Sequence, residues 1–284
     1  MKYRRIGDVE VSAIGLGGMP MSIEGRPDEE RSIRTIHAAL EAGITLIDTA
    51  DAYQLPEDES GHNESLIARA LAGYGTDTSR VLVATKGGHV RPPDGSWTLN
   101  GSPDYLKRAC EASLKRLGVD SIGLYQYHRP DPDTPYEDSI GALRDLVDEG
   151  KVRMAGISNA NPDQIRLAGD ILGDRLVSVQ NQFSPAYRSS EPELQLCDQL
   201  GLAFLPWSPL GGIGKADQLG GQLAAFAQIA GDRGISPQQV CLAWMLAKSP
   251  QVIPIPGASR PETIRDSAAA TEVQLTADEL AALG

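Results

Sequence analysis

A (β/α)8 (TIM) barrel preceded by a short N-terminal β-hairpin is the fold this chain of 284 residues predicts. Three observations carry it. Apolar runs of strand length alternate with longer segments of helical period eight times, which implies a parallel sheet with right-handed crossovers. No break in composition divides the chain, so residues 1–284 read as a single domain. Polar residues able to do chemistry also stand directly after seven different strand-like runs. In an open, doubly wound sheet, ligands gather at one switch point; in a barrel all strand ends converge on one mouth.

The elements follow in order. Residues 3–12 read as a hairpin around Gly7-Asp8, which is good two-residue turn chemistry. Residues 13–16 are a first core strand, followed by the loop Gly17-Gly18-Met19-Pro20. A helix over 28–42 carries Ile33, Ile36 and Leu40 on one face and stops at Gly43. Strand 44–47 ends in Asp48, with Tyr53 in the loop beyond. A helix over 63–71 has Asn63 as its expected cap. Strand 81–85 runs into Lys86, and strand 122–127 into His128. Between them lie a long polar loop, 89–101, with a lone Trp97, and a helix capped by Ser102 with Pro103 at its first position. The second half repeats the pattern. Strands end at Ser158-Asn159, Gln180, Trp207-Ser208 and Pro256-Gly257, with helices at 136–149, 162–172, 191–200, 223–230, 237–247, 260–270 and 278–283.

The formal charge of −12 and pI near 4.8 argue against nucleic acid or an anionic membrane surface as partner. Cys110, Cys197 and Cys241 are far apart and odd in number, which reads as reduced packing residues in a cytoplasmic protein. Neither a signal peptide nor an apolar run of membrane-spanning length is present. The four histidines show no paired ligand spacing, so no metal is expected.

The chemistry concentrates at the barrel mouth. A carboxylate at the end of a buried strand costs several kcal/mol unless something pairs it. Lys86 is the evident partner for Asp48. A phenol has a pKa near ~10, and an adjacent ammonium favours the phenolate, so Lys86 is expected to lower the pKa of Tyr53 into a usable range. His128 can donate a hydrogen bond to a substrate oxygen. Singly, Asp48 reads as a cap, Lys86 as a surface strand end, Tyr53 as packing and His128 as a backbone partner. Together, at matching strand ends, they read as a proton-moving site.

The later strand ends suit a ligand cradle. Ser158, Asn159 and Gln180 can bind a carboxamide, and Trp207 can stack on a flat ring. Ser208-Pro209-Leu210-Gly211-Gly212 permits the close backbone approach that a pyrophosphate needs. Gly257, Ser259 and Arg260 precede a short helix able to hold a phosphate. No Gly-x-Gly-x-x-Gly follows a strand, so a Rossmann site is not indicated.

On the motifs Asp48-Thr49-Ala50-x-x-Tyr53, Ala84-Thr85-Lys86, Tyr127-His128-Arg129-Pro130-Asp131, Gly156-x-Ser158-Asn159, Val179-Gln180-Asn181-Gln182, Trp207-Ser208-Pro209-Leu210-Gly211 and Ile255-Pro256-Gly257-Ala258-Ser259, the chain resembles the aldo-keto reductase superfamily over nearly its whole length. The resemblance implies reduction of an aldehyde or ketone with NADPH bound in extended form. It makes Tyr53 the general acid, tuned by Lys86 and Asp48, and His128 the group that orients the carbonyl. It has Ser158, Asn159 and Gln180 hold the carboxamide and Trp207 stack on the nicotinamide, and it counts Met19 and Asp48 among the cofactor-binding residues. Thr263 stands where many members have Gln or Arg, and Asp266-Ser267 where a Glu-Asn pair is usual. The grip on the 2′-phosphate then falls to Ser259 and Arg260 with Lys215 from the preceding loop, and NADPH is expected over NADH. Met19, Tyr53, Trp97, His128, Arg129 and Tyr187 are the expected walls for a small-molecule carbonyl substrate. The oligomeric state stays open. Two other readings compete: a cofactor-binding redox sensor with little turnover, and a Schiff-base lyase using Lys86 as nucleophile.

Overall fold

The computed structural model describes residues 1–58, 60–212 and 223–284. The chain is a (β/α)8 barrel with an N-terminal hairpin. Strands β1 (Tyr3–Ile6) and β2 (Val9–Ser12) form the hairpin, antiparallel, pairing Ile6 with Val9. The barrel strands are β3 (Leu16–Gly17), β4 (Leu46–Asp48), β5 (Leu82–Gly87), β8 (Ile122–Tyr127), β9 (Val152–Ser158), β10 (Leu176–Gln180) and β11 (Ala203–Phe204). All pair in parallel, in the order β11-β10-β9-β8-β5-β4-β3. β6 (His89–Val90) and β7 (Thr98–Leu99) are a small antiparallel pair inside the loop after β5.

The eighth staves segment is 252–257, and its prolines explain its irregularity. Ile253 and Ile255 donate their backbone N–H groups to Phe204 and Pro206, at 2.8 and 3.2 Å. On the other side, the Pro254 and Pro256 carbonyls accept from Gly15 and Gly17, both at 2.9 Å. Proline has no N–H to return, so the ladder to β3 is half-formed. It still closes the barrel. The first core strand runs over Leu16–Gly17, shorter than 13–16 and later in the chain: residues 13–14 form a bend, across which the Ser12 hydroxyl donates to the Ile14 carbonyl at 2.7 Å.

The barrel interior is a layer of Leu46, Leu82, Leu124, Met154, Val177, Leu205, Ile253 and Ile255, and the hairpin plugs its lower end with Ile6 and Val11. Helices α1 (Glu29–Glu41), α2 (His62–Ala72), α3 (Pro103–Leu117), α4 (Tyr136–Asp148), α5 (Pro162–Leu172), α6 (Glu191–Leu200), α7 (Ala224–Arg233), α8 (Pro237–Lys248), α9 (Pro261–Ala269) and α10 (Ala277–Leu283) lie outside it. Their apolar faces pack on the outward residues of the strands, as in the cluster of Leu143, Leu146, Ile157, Ile165 and Phe204. Asp28 caps α1 by accepting from the Arg31 N–H at 2.7 Å, and Asn161 forms a capping box with Gln164 on α5.

Asn63 is not the cap of its helix. Gly61 takes that place at φ 81°, and the Asn63 side chain is spent elsewhere. Its amide nitrogen donates to the Gly18 carbonyl at 2.9 Å and its oxygen accepts from the Thr49 hydroxyl at 2.6 Å, tying the loops after β3 and β4 together. The three cysteines are free and buried. No helix among the described residues is long and apolar enough to cross a membrane.

Candidate active site

Asp48 ends β4, Lys86 lies one residue before the end of β5, and their strands are hydrogen-bonded neighbours. That register brings the Lys86 Nζ to 2.6 Å from Asp48 Oδ1, with Lys86 fully buried and Asp48 3% exposed. The ammonium also donates to the Thr49 carbonyl at 2.8 Å and the Tyr53 hydroxyl at 3.2 Å. Three donors thus meet three oxygens. Burial works against the ammonium, but Asp48 and Tyr53 outweigh it, and the Lys86 pKa is raised.

Tyr53 behaves otherwise than its sequence neighbours suggest. Its phenol pKa is raised, because desolvation outweighs the lowering pull of Lys86, and Asp48 pushes in the same direction as burial. The ammonium moderates the rise without reversing it. His128 follows β8, with its ring edge-on to Tyr53 at 5.8 Å between centroids. Burial, then Lys86, His89 and Arg129, hold its pKa well below the ordinary value, so it is neutral at pH 7. Among the described residues its buried Nδ1 has no partner, leaving Nε2 to meet a ligand.

Tyr53, His128 and Asp48 line one cavity of about 1340 Å³. Ordinary small-molecule pockets hold roughly 300–1,000 Å³, so this one has room for more than a single small substrate. From the second half, Ser158, Asn159, Gln180, Trp207, Ser208, Pro209, Leu210 and Gly212 form one stretch of its wall, and Gly257, Ser259, Arg260, Thr263, Asp266 and Ser267 another. Met19, Trp97 and Arg129 complete it near the tetrad.

Asn159 is the hinge of this wall. It adopts φ 56°, uncommon for a residue with a side chain. Its amide nitrogen donates to the His128 carbonyl at 3.0 Å, and its oxygen accepts from Trp207 Nε1 at 3.2 Å. One side chain therefore links the ends of two strands and fixes the indole. Ser208, at φ 49°, starts the turn that Gly211 closes by donating to the Ser208 carbonyl at 3.0 Å. Gly211 shapes that turn and does not itself line the cavity; neither does Tyr187, which is 42% exposed. Lys215 lies outside the described residues.

Gln180 does more than sequence reading assigns it. Its amide nitrogen donates to Asp48 Oδ2 at 2.8 Å, and Gln126 adds a longer contact to the same oxygen at 3.3 Å. The Asp48 carboxylate is thus satisfied on both oxygens. Asp266 is similarly held, by Ser236 and Gln239 of the α8 start at 2.7 and 2.6 Å. Sequence reading also missed Glu24 and His89 on the cavity wall, and Arg31, which donates to the Ser259 carbonyl at 3.0 Å. His89 alone had a signal, since it follows Lys86 by three residues. Among the described residues, no group of three or more His, Cys, Asp or Glu is placed to hold a metal.

The barrel and its sequence have counterparts among known proteins. The model of the aldo/keto reductase family matches residues 13–284.

The chain belongs to the aldo/keto reductase family.

An uncharacterized oxidoreductase of Schizosaccharomyces pombe is 35% identical over 283 residues, covering 98% of this chain and 88% of its own. The 6-dehydroglucose reductase of Novosphingobium aromaticivorans is 35% identical over 282 residues, covering 96% and 91%. An aldo/keto reductase from Klebsiella pneumoniae, crystallised with NADP and acetate, superposes with a TM-score of 0.82 at 28% identity, over 99% of this chain and 94% of that one. The aldo/keto reductase family is one of oxidoreductases, and the (β/α)8 barrel is this member's version of its framework.

Proposed function

We propose that this aldo/keto reductase, working as one domain over residues 1–284, reduces an aldehyde or ketone to an alcohol with NADPH. The observation that carries the reading is the contact of Lys86 with both Asp48 and Tyr53 at the wall of a cavity large enough for a dinucleotide. NADP in the Klebsiella relative supports the cofactor.

The residues present fit that cofactor. Asn159, Ser158 and the free oxygen of Gln180 can bind the carboxamide, and Trp207, anchored by Asn159, offers an indole for stacking. Ser208–Gly212 turns through two positive-φ positions at its end, Gly211 and Gly212, and allows close backbone approach. Ser259, Arg260 and Thr263 stand at the N-terminus of α9, where backbone N–H groups and the helix dipole favour a phosphate. That set favours NADPH over NADH.

The chemistry that NADPH supplies is a hydride for the carbonyl carbon. The protein supplies the proton and the field. Tyr53 donates its phenol proton to the carbonyl oxygen as negative charge develops there. Lys86, at 3.2 Å, stabilises the phenolate left behind. Asp48 balances the ammonium, and the Gln180 and Gln126 amides hold Asp48. Neutral His128 can donate from Nε2 to the same carbonyl oxygen and orient it. The raised Tyr53 pKa suits the reductive direction, since the phenol stays protonated at neutral pH.

The lyase reading loses its basis here. A nucleophilic lysine needs a free amine, and Lys86 spends all three donors on Asp48, Thr49 and Tyr53 with its pKa raised. The free, buried cysteines suit a reducing compartment, in keeping with a cytoplasmic enzyme. The test follows NADPH absorbance with an activated aromatic aldehyde. Turnover is expected for the wild type; tight NADPH binding with no carbonyl reduced would favour the sensor reading instead.

A further inference from the structure

The tetrad end of the cavity carries a charge that the reaction does not use. Its ionisable groups are Glu24, Asp48, Tyr53, Lys86, His89, Arg91, His128 and Arg129. Asp48 and Lys86 neutralise each other at 2.6 Å. Glu24, exposed on the cavity rim, is met by the buried Arg91 guanidinium. Tyr53 is protonated, and both histidines are neutral; burial, Arg129 and Arg91 bring the His89 pKa down to about 4. What remains is Arg129. Among the described residues it makes no hydrogen bond or ion pair, although it lines the cavity and is partly buried.

Arg129 is held in place by its loop. Pro130 restricts its backbone to extended conformations. Asp131 then anchors the turn: its N–H donates to the Tyr127 hydroxyl at 2.9 Å, and its carboxylate accepts from the Gly101 N–H at 2.7 Å and the Thr134 hydroxyl at 3.0 Å. Asp131 is therefore occupied and does not neutralise its neighbour. The wall beside Arg129 has further donor excess. Among the described residues, Arg91 Nε and Nη1 are buried without partners, and its guanidinium lies 4.4 Å from the Trp97 ring centroid. A partly desolvated guanidinium without a carboxylate is costly in the free protein and favours an anionic ligand. This pocket stands out in a chain of net charge −12.

We propose that the carbonyl substrate is an anion, a compact oxo- or aldehydo-carboxylate, whose carboxylate is bound by the unpaired guanidinium of Arg129 while its carbonyl sits between Tyr53 and His128. The inference rests on the reductase reading and adds the substrate's charge to it. Arg129 and His128 line the same cavity, so carbonyl and carboxylate belong to one compact substrate.

The test compares kcat/KM for 2-, 3- and 4-carboxybenzaldehyde with their methyl esters, at saturating NADPH, for wild type, Arg129→Gln and Arg129→Lys. A hydrogen bond to a charged group corresponds to a preference of about 10- to 100-fold. The wild type is expected to prefer at least one acid over its ester by that factor. Arg129→Gln is expected to lose the preference, and Arg129→Lys to keep part of it. Turnover of acids and esters alike by the wild type, or a preference undiminished in Arg129→Gln, would overturn the anion assignment and leave the reductase reading standing. The wild-type ratio decides this even where a variant folds poorly. No turnover of any aldehyde despite NADPH binding would overturn the reductase reading and the substrate assignment with it.

Discussion

The side-chain amide of Gln180 donates to Asp48 Oδ2 at 2.8 Å across 132 residues of chain. Asp48 is thereby fixed on one oxygen by Lys86 and on the other by Gln180. Gln180→Glu would set two buried carboxylates against each other and draw Lys86 away from Tyr53. A loss on the order of 10- to 100-fold in kcat/KM is expected, by analogy with removing a partner of a catalytic ligand. Gln180→Ala should lose less, because Gln126 still reaches the same oxygen at 3.3 Å. Steady-state kinetics of the two variants would rank them; equal effects would mean that the amide acts on the cofactor alone.

Tyr53→Phe removes the proposed proton donor and leaves the proposed cradle of Asn159, Trp207 and Arg260 in place. The expected loss is roughly 10²–10⁴-fold in kcat. NADPH binding, read by quenching of tryptophan fluorescence, should be retained. Turnover equal to wild type would reduce Tyr53 to a wall of the pocket.

Lys86→Met leaves Asp48 buried and uncompensated. Breaking such a pair costs about 3–5 kcal/mol. Urea unfolding should show the loss, and the double change Lys86→Met with Asp48→Asn should recover part of it while staying inactive. A single variant as stable as wild type would show that Asp48 takes up a proton or water in the folded chain.

Asp51 lies in the same loop as Tyr53, and burial, with Glu64 nearby, pushes its pKa up to about 8. Its Oδ1 has no partner among the described residues. In the unfolded chain this carboxyl ionises near pH 4. Between about pH 4 and 8 the folded state keeps a proton that the unfolded state has lost. Stability therefore falls as pH rises through that window, by about 1.4 kcal/mol per pH unit for one proton, and levels off above it. Asp51→Asn removes this slope. The variant is expected to melt at or above the wild-type temperature at pH 8 and to show a flatter pH profile between 5 and 8. Parallel profiles would mean that Asp51 is ionised in the folded protein.

Gly87 follows Lys86 with no space for a side chain. An added Cβ would sit 2.1 Å from the Tyr125 hydroxyl and 3.1 Å from its ring carbon, against a fully buried tyrosine. The Gly87 carbonyl also accepts from the His128 N–H at 2.9 Å. Gly87→Ala is expected to cost about 1–3 kcal/mol and to disturb Lys86 and His128 together. Thermal unfolding and kcat/KM measured on the same sample would show both effects or neither.

Eight strand–helix units were legible in the sequence because their signals are local. Strand-length apolar runs, glycine stops after helices and Pro at first helical positions need no knowledge of distant neighbours. Once the barrel is inferred, its geometry alone carries Asp48, Lys86 and His128 to one mouth, so the core of the candidate site came with the fold. The closing strand was visible only as its first two residues, since Pro254 and Pro256 obscure a segment that its partners Gly15, Gly17 and Phe204 recruit.

Other features depended on contacts between residues far apart in the chain. Asn63 looked like a cap because nothing nearby shows that Gly18 and Thr49 claim its amide. That the Gln180 amide nitrogen also holds Asp48 was not legible, because Asp48 lies 132 residues earlier. The direction of the Tyr53 pKa followed from burial, which is a property of everything packed around the phenol and not of Lys86 alone. The unpaired charge of Arg129 is likewise a sum over side chains from several loops. The sequence by itself determined the barrel and the polar residues gathered at its mouth, because periodicity and strand-end position are written locally. Only the tertiary structure decided which partners those residues take, and which charge at the mouth is left without one, because desolvation and pairing depend on neighbours that folding alone brings together.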